Sequence, residues 1–487
     1  MMRLGRGRKE LAVFVLGMAG WLAGARAERF TGPWPIGELT RVPPHEWGAG
    51  ANGVWEIRFE GLPYLGRTTR VFAYLGIPED ASPGHPVPGV LLLHGGGLHA
   101  DPEWVSYWME RGYAAMSVEL NGGGPGDPPE TLPPLLNVDT VFGPFPEDDL
   151  RNGWVYHAVA NAMMAHSVLA AQPGVDASRI GVNGGSWGGF LTCIVAGVDE
   201  RVRAAAAVYG CGYLWENSYR NSTLADMDCR RLAEWRSLLD PAAYLPGISC
   251  PFLMQNGAQD PFFGPLSFQH SWDVAGGGRK SLAFRPRLNH GRFWSWPWTE
   301  VEVNLFLDHC LRDGPAPPKV RIVEAGESEL TCAVESELPV EGVYFASSAD
   351  LGAWSQREWT TRLLEVDPAE FHVTLPPERP LAFFVMAAVK NERGFKGYFS
   401  TPFQIRRGGD SPDSIVVTPP VARDGEWTLA GERPRGTPVV IEGTDDFCHW
   451  VRLMTNNAPG IEFEWRMGAT LPGGYRFFRA RSWETVR

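Results

Sequence analysis

The nine residues Gly181-Val182-Asn183-Gly184-Gly185-Ser186-Trp187-Gly188-Gly189 carry the strongest indication of the fold in this chain. Their G-x-S-x-G motif, centred on Ser186, lies between the apolar run 180–182 and a helix-like segment at 187–196. A serine on a tight strand-to-helix turn needs small neighbours two positions away, because the two backbone segments approach each other there. The helix N-terminus beneath the serine also favours developing negative charge. We therefore predict that Ser186 is a nucleophile; a flexible glycine loop, the alternative, would lack the flanking strand and helix.

Apolar runs recur on both sides of this motif and predict a parallel sheet. They lie at residues 90–93, 114–118, 180–182, 204–208, 252–254 and 281–284. Segments of helical length separate them, at residues 103–110, 150–171, 187–196 and 301–311. Strands that are apolar on both faces are covered from both sides, and their alternation with helices is typical of α/β proteins. The fold class predicted is α/β, with a doubly wound, mostly parallel sheet.

Strand-rich segments are predicted before and after this region. Residues 55–77 contain two strand-like runs around the turn residues Gly61-Leu62-Pro63, which predicts an antiparallel pair. After a proline-rich linker at 313–318, short apolar runs separated by Gly, Pro and Asp favour a β-sandwich-like domain at 319–406. A second linker-like stretch, rich in Gly, Asp and Pro, precedes a β-rich C-terminal region, residues 413–487.

The first 27 residues have the pattern of a cleavable secretory signal. Four basic residues precede an apolar run at 11–22, and the small-residue site Ala25-Arg26-Ala27 follows. An uncleaved membrane anchor is the alternative, but the run is shorter than the about 20 residues that a spanning helix needs. We predict a catalytic domain at residues 28–313, in a secreted or periplasmic protein without stable membrane insertion after cleavage.

Charge and cysteine content exclude some classes of partner. The formal net charge is −12, so a nucleic-acid backbone would be repelled, and we predict no nucleic-acid partner. Seven cysteines show no Cys-x-x-Cys pair and no dense framework. Cys211 and Cys229 either form a loop-stapling bridge or are small buried residues. The sequence does not specify the oligomeric state.

A glycine run after the strand at 90–93 predicts part of an oxyanion hole. The stretch Leu93-His94-Gly95-Gly96-Gly97 ends a buried run with residues that let a substrate carbonyl approach the backbone. We expect the backbone N–H of Gly96 to donate to the oxyanion, with Gly97 the next candidate, together with the N–H of Trp187, which follows the nucleophile. His94 stands on the strand side of the loop and is predicted to be structural.

The base and the acid of a catalytic triad follow the nucleophile in the chain. Asp260 comes directly after a strand, whereas its competitor Asp273 lies inside a predicted helix. His290 lies between the last strand of the sheet and the closing helix, whereas His270 shares the helix of Asp273 and His309 lies inside the closing helix. Because an imidazole must take the serine proton and an acid must orient it, we predict His290 as general base and Asp260 as its partner.

Other candidate motifs are weaker. Trp294, Trp296 and Trp298 follow the predicted base and either stack on sugar rings or pack in the core. The glycine-rich stretch at 121–126 lacks the Lys-Ser/Thr ending of a phosphate loop. No spacing of His, Cys, Asp or Glu indicates a metal site, and no cofactor is predicted. The substrate-binding residues are not identified, although the loops at 125–146 and 213–245 are expected to set specificity.

Taken together, these motifs resemble the α/β-hydrolase superfamily, in particular the group of acetylxylan esterases, dienelactone hydrolases and prolyl-oligopeptidase-type peptidases. The resemblance rests on Leu93-His94-Gly95-Gly96-Gly97, the Ser186 motif, Asn256-Gly257-Ala258-Gln259-Asp260 and Asn289-His290-Gly291, and it covers about residues 50–312. It implies a serine hydrolase. The chain departs from the peptidases in having no room for a β-propeller before the hydrolase region, which favours an esterase.

The function expected from the sequence is hydrolysis of a carboxylic ester through an acyl-serine intermediate. The substrate is a small-molecule or polysaccharide ester, with acetyl or other acyl groups on a polysaccharide as one possibility. Two alternatives stay open at this point: a prolyl-oligopeptidase-like serine peptidase, and a carbohydrate-binding protein with a vestigial hydrolase domain.

Overall fold

The computed structural model describes residues 29–125, 138–288, 290, 300–350, 353–378 and 380–406, together with short strands between residues 416 and 482. The predicted signal segment and Trp294, Trp296 and Trp298 lie outside the described residues. Within the described part of the chain, no helix has both the length and the apolar character that a membrane crossing requires.

A nine-stranded sheet forms the centre of the molecule. Its strands are β1 (His45–Ala51), β2 (Val54–Tyr64), β3 (Arg67–Gly76), β4 (Val87–Leu93), β5 (Ala114–Val118), β6 (Val175–Gly185), β7 (Ala204–Val208), β8 (Phe252–Gly257) and β9 (Lys280–Arg285). Their order is β1-β2-β3-β5-β4-β6-β7-β8-β9. Pairing is antiparallel from β1 through β3 to β5, and parallel from β5 through β4 to β9. The predicted doubly wound, mostly parallel sheet is confirmed.

Helices cover both faces of this sheet. The described α-helices are α1 (Ile36–Leu39), α2 (Pro102–Glu110), α3 (Val138–Phe142), α4 (Trp154–Ala170), α5 (Trp187–Val198), α6 (Asn221–Ala225), α7 (Cys229–Leu238), α8 (Pro265–Val274) and α9 (Val301–Arg312). Leu91 and Leu93 of β4 join the apolar core beneath α4 and α5, whereas Val90 and Leu92 join the core beneath α2 and α9. Burial on both faces explains the continuous apolar runs in the parallel strands.

One local prediction is wrong, and one strand was not predicted. The residues Gly61-Leu62-Pro63 do not form a turn but continue β2, with a register shift between Gly61 and Tyr64. The hairpin turns instead at Leu65 and Gly66, whose φ angles are 48° and 71°. Positive φ at both central residues matches the twist of the flanking strands, but a leucine there gives no sequence signal. Strand β1 was not predicted because all its residues are exposed and it lacks apolar alternation.

The helix predicted at residues 150–171 is divided at Gly153. A 3-10 turn, Leu150–Asn152, precedes Gly153, and α4 begins at the next residue. A Cβ atom at Gly153 would lie 2.8 Å from the ring of Phe145, so the close approach excludes a side chain.

Cys211 is a buried free thiol, so the disulfide considered between Cys211 and Cys229 is not formed.

Two antiparallel sheets follow the central sheet in the chain. One consists of β10 (Lys319–Ala325), β11 (Glu329–Glu335) and β14 (Phe371–Thr374), and the other of β12 (Gly342–Ser348), β13 (Thr360–Leu364), β15 (Leu381–Lys390), β16 (Lys396–Ser400) and β17 (Gln404–Arg406). Leu330 and Val373 of the first sheet share one apolar core with Phe345, Phe383 and Val385 of the second. Two sheets enclosing one core form a sandwich, as predicted for this region.

Further strands lie in the C-terminal region. They are β18 (Val416–Val417), β19 (Val421–Arg423), β20 (Glu426–Glu432), β21 (Val439–Thr444), β22 (Val451–Asn456), β23 (Glu462–Met467) and β24 (Phe477–Ser482). β18, β19 and β23 pair with β20, while β22 and β24 pair with β21. This region is therefore β-rich; the domain boundaries themselves stay a prediction.

The sandwich packs against the edge of the central sheet through buried side chains. The ring of Phe284 in β9 contacts the rings of Phe384 and Phe403, with centroids 5.0 and 5.5 Å apart. Beside them, the N–H of Tyr398 donates to the buried carboxylate of Glu302 at 2.8 Å. The packing of these aromatic rings and the buried hydrogen bond to Glu302 join the sandwich to the central sheet.

Two buried histidines of α4 make the stability of the fold depend on pH. His157 and His166 are 1% and 0% exposed, and burial lowers the pKa of each to about 4. In the unfolded chain a histidine titrates near about 6.5, so between the two values only the unfolded state takes up the proton. Stability is therefore full above about pH 6.5 and falls as the pH drops toward 4.

We expect the free energy of unfolding to decrease by on the order of 2 kcal/mol per histidine between pH 7.5 and pH 5, measured by urea denaturation. The variant His166→Leu removes one of the two groups and should reduce the pH dependence, with Ser178→Ala as a surface control. An unfolding midpoint that is constant from pH 7.5 to 4.5 in the unsubstituted protein would contradict this expectation.

Candidate active site

Ser186 lies on the turn between β6 and α5, at the carboxyl end of the sheet. Its φ and ψ are 57° and −121°, in a region that non-glycine residues rarely adopt. The backbone is held on both sides, because the N–H of Ser186 donates to the carbonyl of Val208 at 2.8 Å and its carbonyl accepts from the N–H of Phe190 at 2.9 Å. Such strain is typical of a functional turn and points the hydroxyl away from the strand.

The glycines around Ser186 leave no room for side chains. A Cβ atom at Gly188 would lie 1.9 Å from the carbonyl oxygen of Leu93, and one at Gly184 would lie 2.3 Å from the carbonyl oxygen of Gly188. Both obstacles are backbone atoms, which cannot rotate away as a flexible side chain would. The motif is therefore required by the close approach of β4, β6 and α5.

The structure brings together the three side chains predicted to form a triad. The Nε2 atom of His290 lies 2.9 Å from the hydroxyl oxygen of Ser186, and its Nδ1 atom lies 2.8 Å from the Oδ2 atom of Asp260. When Nδ1–H donates to the carboxylate, Nε2 is left free to accept the serine proton. The Asp260 side chain is fully buried and the His290 side chain is 12% exposed, so water has little access to the acid.

The loop after β8 orients Asp260. Its second oxygen, Oδ1, accepts from the backbone N–H groups of Phe262 and Phe263 at 2.7 and 3.0 Å. The carboxylate therefore faces His290 with one oxygen while two backbone donors hold the other. The same two phenylalanine rings contact the imidazole of His290, with centroids 4.6 and 6.0 Å away.

The competing histidines have other hydrogen-bond partners, and the competing acid lies on α8. His270 lies 3.0 Å from both carboxylate oxygens of Glu216, and that hydrogen bond raises the pKa of its imidazole. Asp273 is on the same helix, where burial raises the pKa of its carboxyl. His309 contacts the carbonyl of Gly314 at 2.9 Å, so none of the three takes part in the arrangement around Ser186.

The loop that follows β4 lies beside Ser186, because Leu93 of β4 pairs with Gly184 of β6. Gly96 and Gly97 are exposed there, and Gly97 has a φ of 74°. Trp187 is the first residue of α5, where backbone N–H groups have no partner within the helix. The three predicted oxyanion donors therefore lie on the two segments that flank the serine.

A buried acid that the sequence reading missed anchors this loop. Glu119, 2% exposed, accepts from the backbone N–H groups of Ala100 and Asn121 at 3.0 and 2.8 Å. Burial opposes its charge, but the neighbouring imidazole of His94 and the hydrogen bonds from the backbone hold the pKa of Glu119 below its usual value. The Nε2 atom of His94 accepts from the N–H of Leu120, which agrees with the structural role predicted for His94. The sequence gives one sign of this anchoring role, which is that Glu119 directly follows the apolar run at residues 114–118.

Aromatic residues surround Trp187 and the site. The indole N–H of Trp187 donates to the hydroxyl of Tyr219 at 3.0 Å, and the rings of Phe142 and Trp154 lie 6.3 and 5.6 Å from that of Trp187. Tyr219 in turn contacts Phe262, with ring centroids 5.1 Å apart. Phe262 is 41% exposed, so the side of the site next to the imidazole presents an open aromatic surface.

No metal centre is evident in the described residues, since they contain no group of three or more His, Cys, Asp and Glu side chains able to hold an ion. The chemistry that the site itself offers is that of a hydroxyl activated by an imidazole and a carboxylate.

Parts of the chain match known protein families. A family model described as acetyl xylan esterase (AXE1) matches residues 40–225, and one described as PhoPQ-activated pathogenicity-related protein matches residues 206–350. The acetyl esterase Axe7A of Xylanibacter ruminicola is 25% identical over 251 residues, which are 49% of this chain and 55% of that protein. The acylamino-acid-releasing enzyme of Sus scrofa is 24% identical over 267 residues, 49% of this chain and 31% of that protein.

The chain thus spans about half the length of the first of these relatives and about a third of the second. Among solved structures, acetyl xylan esterase 1 from Thermoanaerobacterium sp. JW/SL YS485 is 19% identical, with a TM-score of 0.46; the match covers 57% of this chain and 96% of that one.

Proposed function

We propose, from the premise that this chain is an α/β-hydrolase resembling the acetyl xylan esterase group, that it hydrolyses carboxylic esters through a covalent acyl-serine intermediate. The observation that carries the proposal is the pair of hydrogen bonds joining Ser186, His290 and Asp260, at 2.9 and 2.8 Å. The acetyl xylan esterase family model and the acetyl esterase relative support ester hydrolysis independently of that geometry.

In the first half of the reaction, the Nε2 atom of His290 takes the hydroxyl proton as the Oγ atom of Ser186 attacks the ester carbonyl. The oxyanion accepts hydrogen bonds from the N–H of Trp187 and from Gly96 or Gly97. The tetrahedral intermediate then collapses: the carbon–oxygen bond to the alcohol breaks, and the imidazolium gives its proton to that oxygen. Asp260 stabilises the imidazolium throughout and does not itself become protonated.

In the second half, water takes the place of the departed alcohol. His290 removes a proton from the water, whose oxygen attacks the acyl carbonyl, and the second tetrahedral intermediate is held by the same backbone donors. Its collapse releases the carboxylic acid and returns the proton to Ser186. No oxidant, reductant or external cofactor enters this balance.

An acyl group on a polysaccharide is the substrate we favour. The predicted secretory signal in residues 1–27 supports work outside the cytoplasm, where such polymers are met. The exposed ring of Phe262 beside the imidazole offers a surface on which a sugar ring stacks.

A serine peptidase is the second candidate, because the acylamino-acid-releasing enzyme is among the relatives. The test is a panel of 4-nitrophenyl acetate, acetylated xylan oligosaccharides and short peptide 4-nitroanilides, given to the full chain. We expect release of acetate and no release of nitroaniline. Faster cleavage of the peptide amides would reject the esterase, and failure to react with a fluorophosphonate probe would favour a carbohydrate-binding protein with a vestigial hydrolase domain.

A further inference from the structure

An arginine that forms no ion pair with any described residue lies next to the site and has no role in the chemistry described so far. Arg220 directly precedes α6, in one of the two loops expected to set specificity. Its guanidinium carbon lies 4.5 Å from the ring centroid of Tyr219 and 5.7 Å from that of Phe142. Contacts of this kind hold a cation over aromatic rings without neutralising it.

Both rings that hold Arg220 also contact Trp187. The hydroxyl of Tyr219 accepts from the indole of Trp187, and Phe142 packs against the same indole. On its other side Tyr219 contacts Phe262, the partly exposed ring beside His290. Arg220 is therefore one aromatic ring away from the residue that follows the nucleophile and two rings away from the base.

The charge of Arg220 is not balanced in the described residues. No carboxylate forms an ion pair with its guanidinium, and its buried Nε atom has no hydrogen-bond partner there. Two other arginines differ from Arg220: Arg231 pairs with Asp228 at 3.4 Å and Arg151 pairs with Asp149 at 2.6 Å. In a chain with a net charge of −12, a partly buried cation that has no acid beside it in the described part of the chain is a candidate for ligand recognition.

A planar guanidinium with free N–H groups matches a carboxylate, which it binds through two parallel hydrogen bonds. Resting on the proposed esterase function, we propose that Arg220 binds a carboxylate on the ester substrate, so that the preferred substrate is an acylated acidic sugar such as an O-acetylated uronate. The aromatic rings of Tyr219 and Phe262 contact the sugar ring, and Arg220 contacts its carboxylate. We name Tyr219, Arg220 and Phe262 the acidic-sugar rim.

The test compares two esters that differ only at C6 of the sugar. O-acetylated methyl glucuronide carries a carboxylate there, and O-acetylated methyl glucoside carries a neutral hydroxymethyl group. We expect the unsubstituted full chain to show a kcat/KM at least about tenfold higher for the glucuronide. Arg220→Gln should lower kcat/KM for the glucuronide by about 10- to 100-fold, mainly through KM, and change the value for the glucoside less than about threefold.

Two further variants separate recognition from general damage. Arg220→Lys keeps the positive charge but loses the planar guanidinium that donates two parallel hydrogen bonds. This variant should retain part of the preference for the glucuronide over the glucoside. Arg151→Gln removes an arginine that is already paired with Asp149, and should leave the preference unchanged. Equal kcat/KM for the two esters in the unsubstituted protein, or an equal loss for both in Arg220→Gln, would overturn the proposal.

Failure of the esterase proposal has a different signature. If neither of the two sugar esters nor 4-nitrophenyl acetate is hydrolysed, the esterase function is rejected. The role of Arg220 is then decided by the binding of the product methyl glucuronide, measured by ligand-observed NMR. Binding that is weakened by Arg220→Gln supports the acidic-sugar rim. Binding equal to that of methyl glucoside, or unaffected by the substitution, rejects it.

Discussion

Replacing Ser186 by alanine is expected to lower kcat/KM for 4-nitrophenyl acetate by about 10⁴- to 10⁶-fold. Alanine removes the only atom that can form the acyl intermediate in this arrangement, while the strained turn keeps a side chain of nearly the same size. Hydrolysis at the residual level comes from water activated by the imidazole and from the oxyanion donors. Steady-state kinetics at matched protein concentrations measure the effect, and fluorophosphonate labelling gives a second readout.

Ser178→Ala is the matched control, because Ser178 is an exposed serine on β6, the strand that precedes Ser186. We expect this variant to retain full turnover and full labelling. Labelling that persists in Ser186→Ala would place the reactive hydroxyl elsewhere and would remove the basis of the proposed mechanism.

Replacing Asp260 by asparagine is expected to lower kcat by about 10⁴-fold without unfolding the protein. The amide oxygen of asparagine can still accept from the N–H groups of Phe262 and Phe263, so the loop after β8 keeps its shape. The amide nitrogen then faces His290 and offers a hydrogen instead of accepting one. The imidazole is held with its proton on Nε2, where it cannot accept the proton of Ser186.

The kinetic constants and the melting temperature, measured together, separate this effect from instability. Asp273→Asn is the control, since Asp273 was the other acid considered from the sequence and lies on α8 away from the imidazole. Its activity should stay within about threefold of the unsubstituted protein. A loss of activity in Asp273→Asn with retention in Asp260→Asn would reverse the assignment of the acid.

The sequence predicts the central sheet well because its physical causes are local. Strands buried on both faces contain continuous apolar runs, and the turn at Ser186 must be flanked by glycines. The residues that converge on Ser186 were found through the order of strands, since Asp260 and His290 each follow a strand end. Their roles in catalysis stay a prediction, as do those of Gly96, Gly97 and Trp187.

What the sequence does not reveal depends on distant contacts. Glu119 has no motif, and its function in anchoring the glycine loop appears only when Ala100 and Asn121 are seen to donate to it. Arg220 is one of many arginines until Tyr219 and Phe142 are found beneath it. The edge strand β1 has no apolar period, because both of its faces are exposed.

The side chain of Gln259 links regions of the chain that are far apart in sequence. Its amide nitrogen donates to the carbonyl of Arg357 in the β-sandwich at 2.8 Å, and its amide oxygen accepts from the N–H of Arg287 at 2.8 Å. Gln259 immediately precedes Asp260, and Arg287 lies three residues before His290. One glutamine thus ties the sandwich to the loops of the acid and the base. We therefore expect that replacing the sandwich with another module would remove one support of these two loops and shift Asp260 and His290 relative to Ser186.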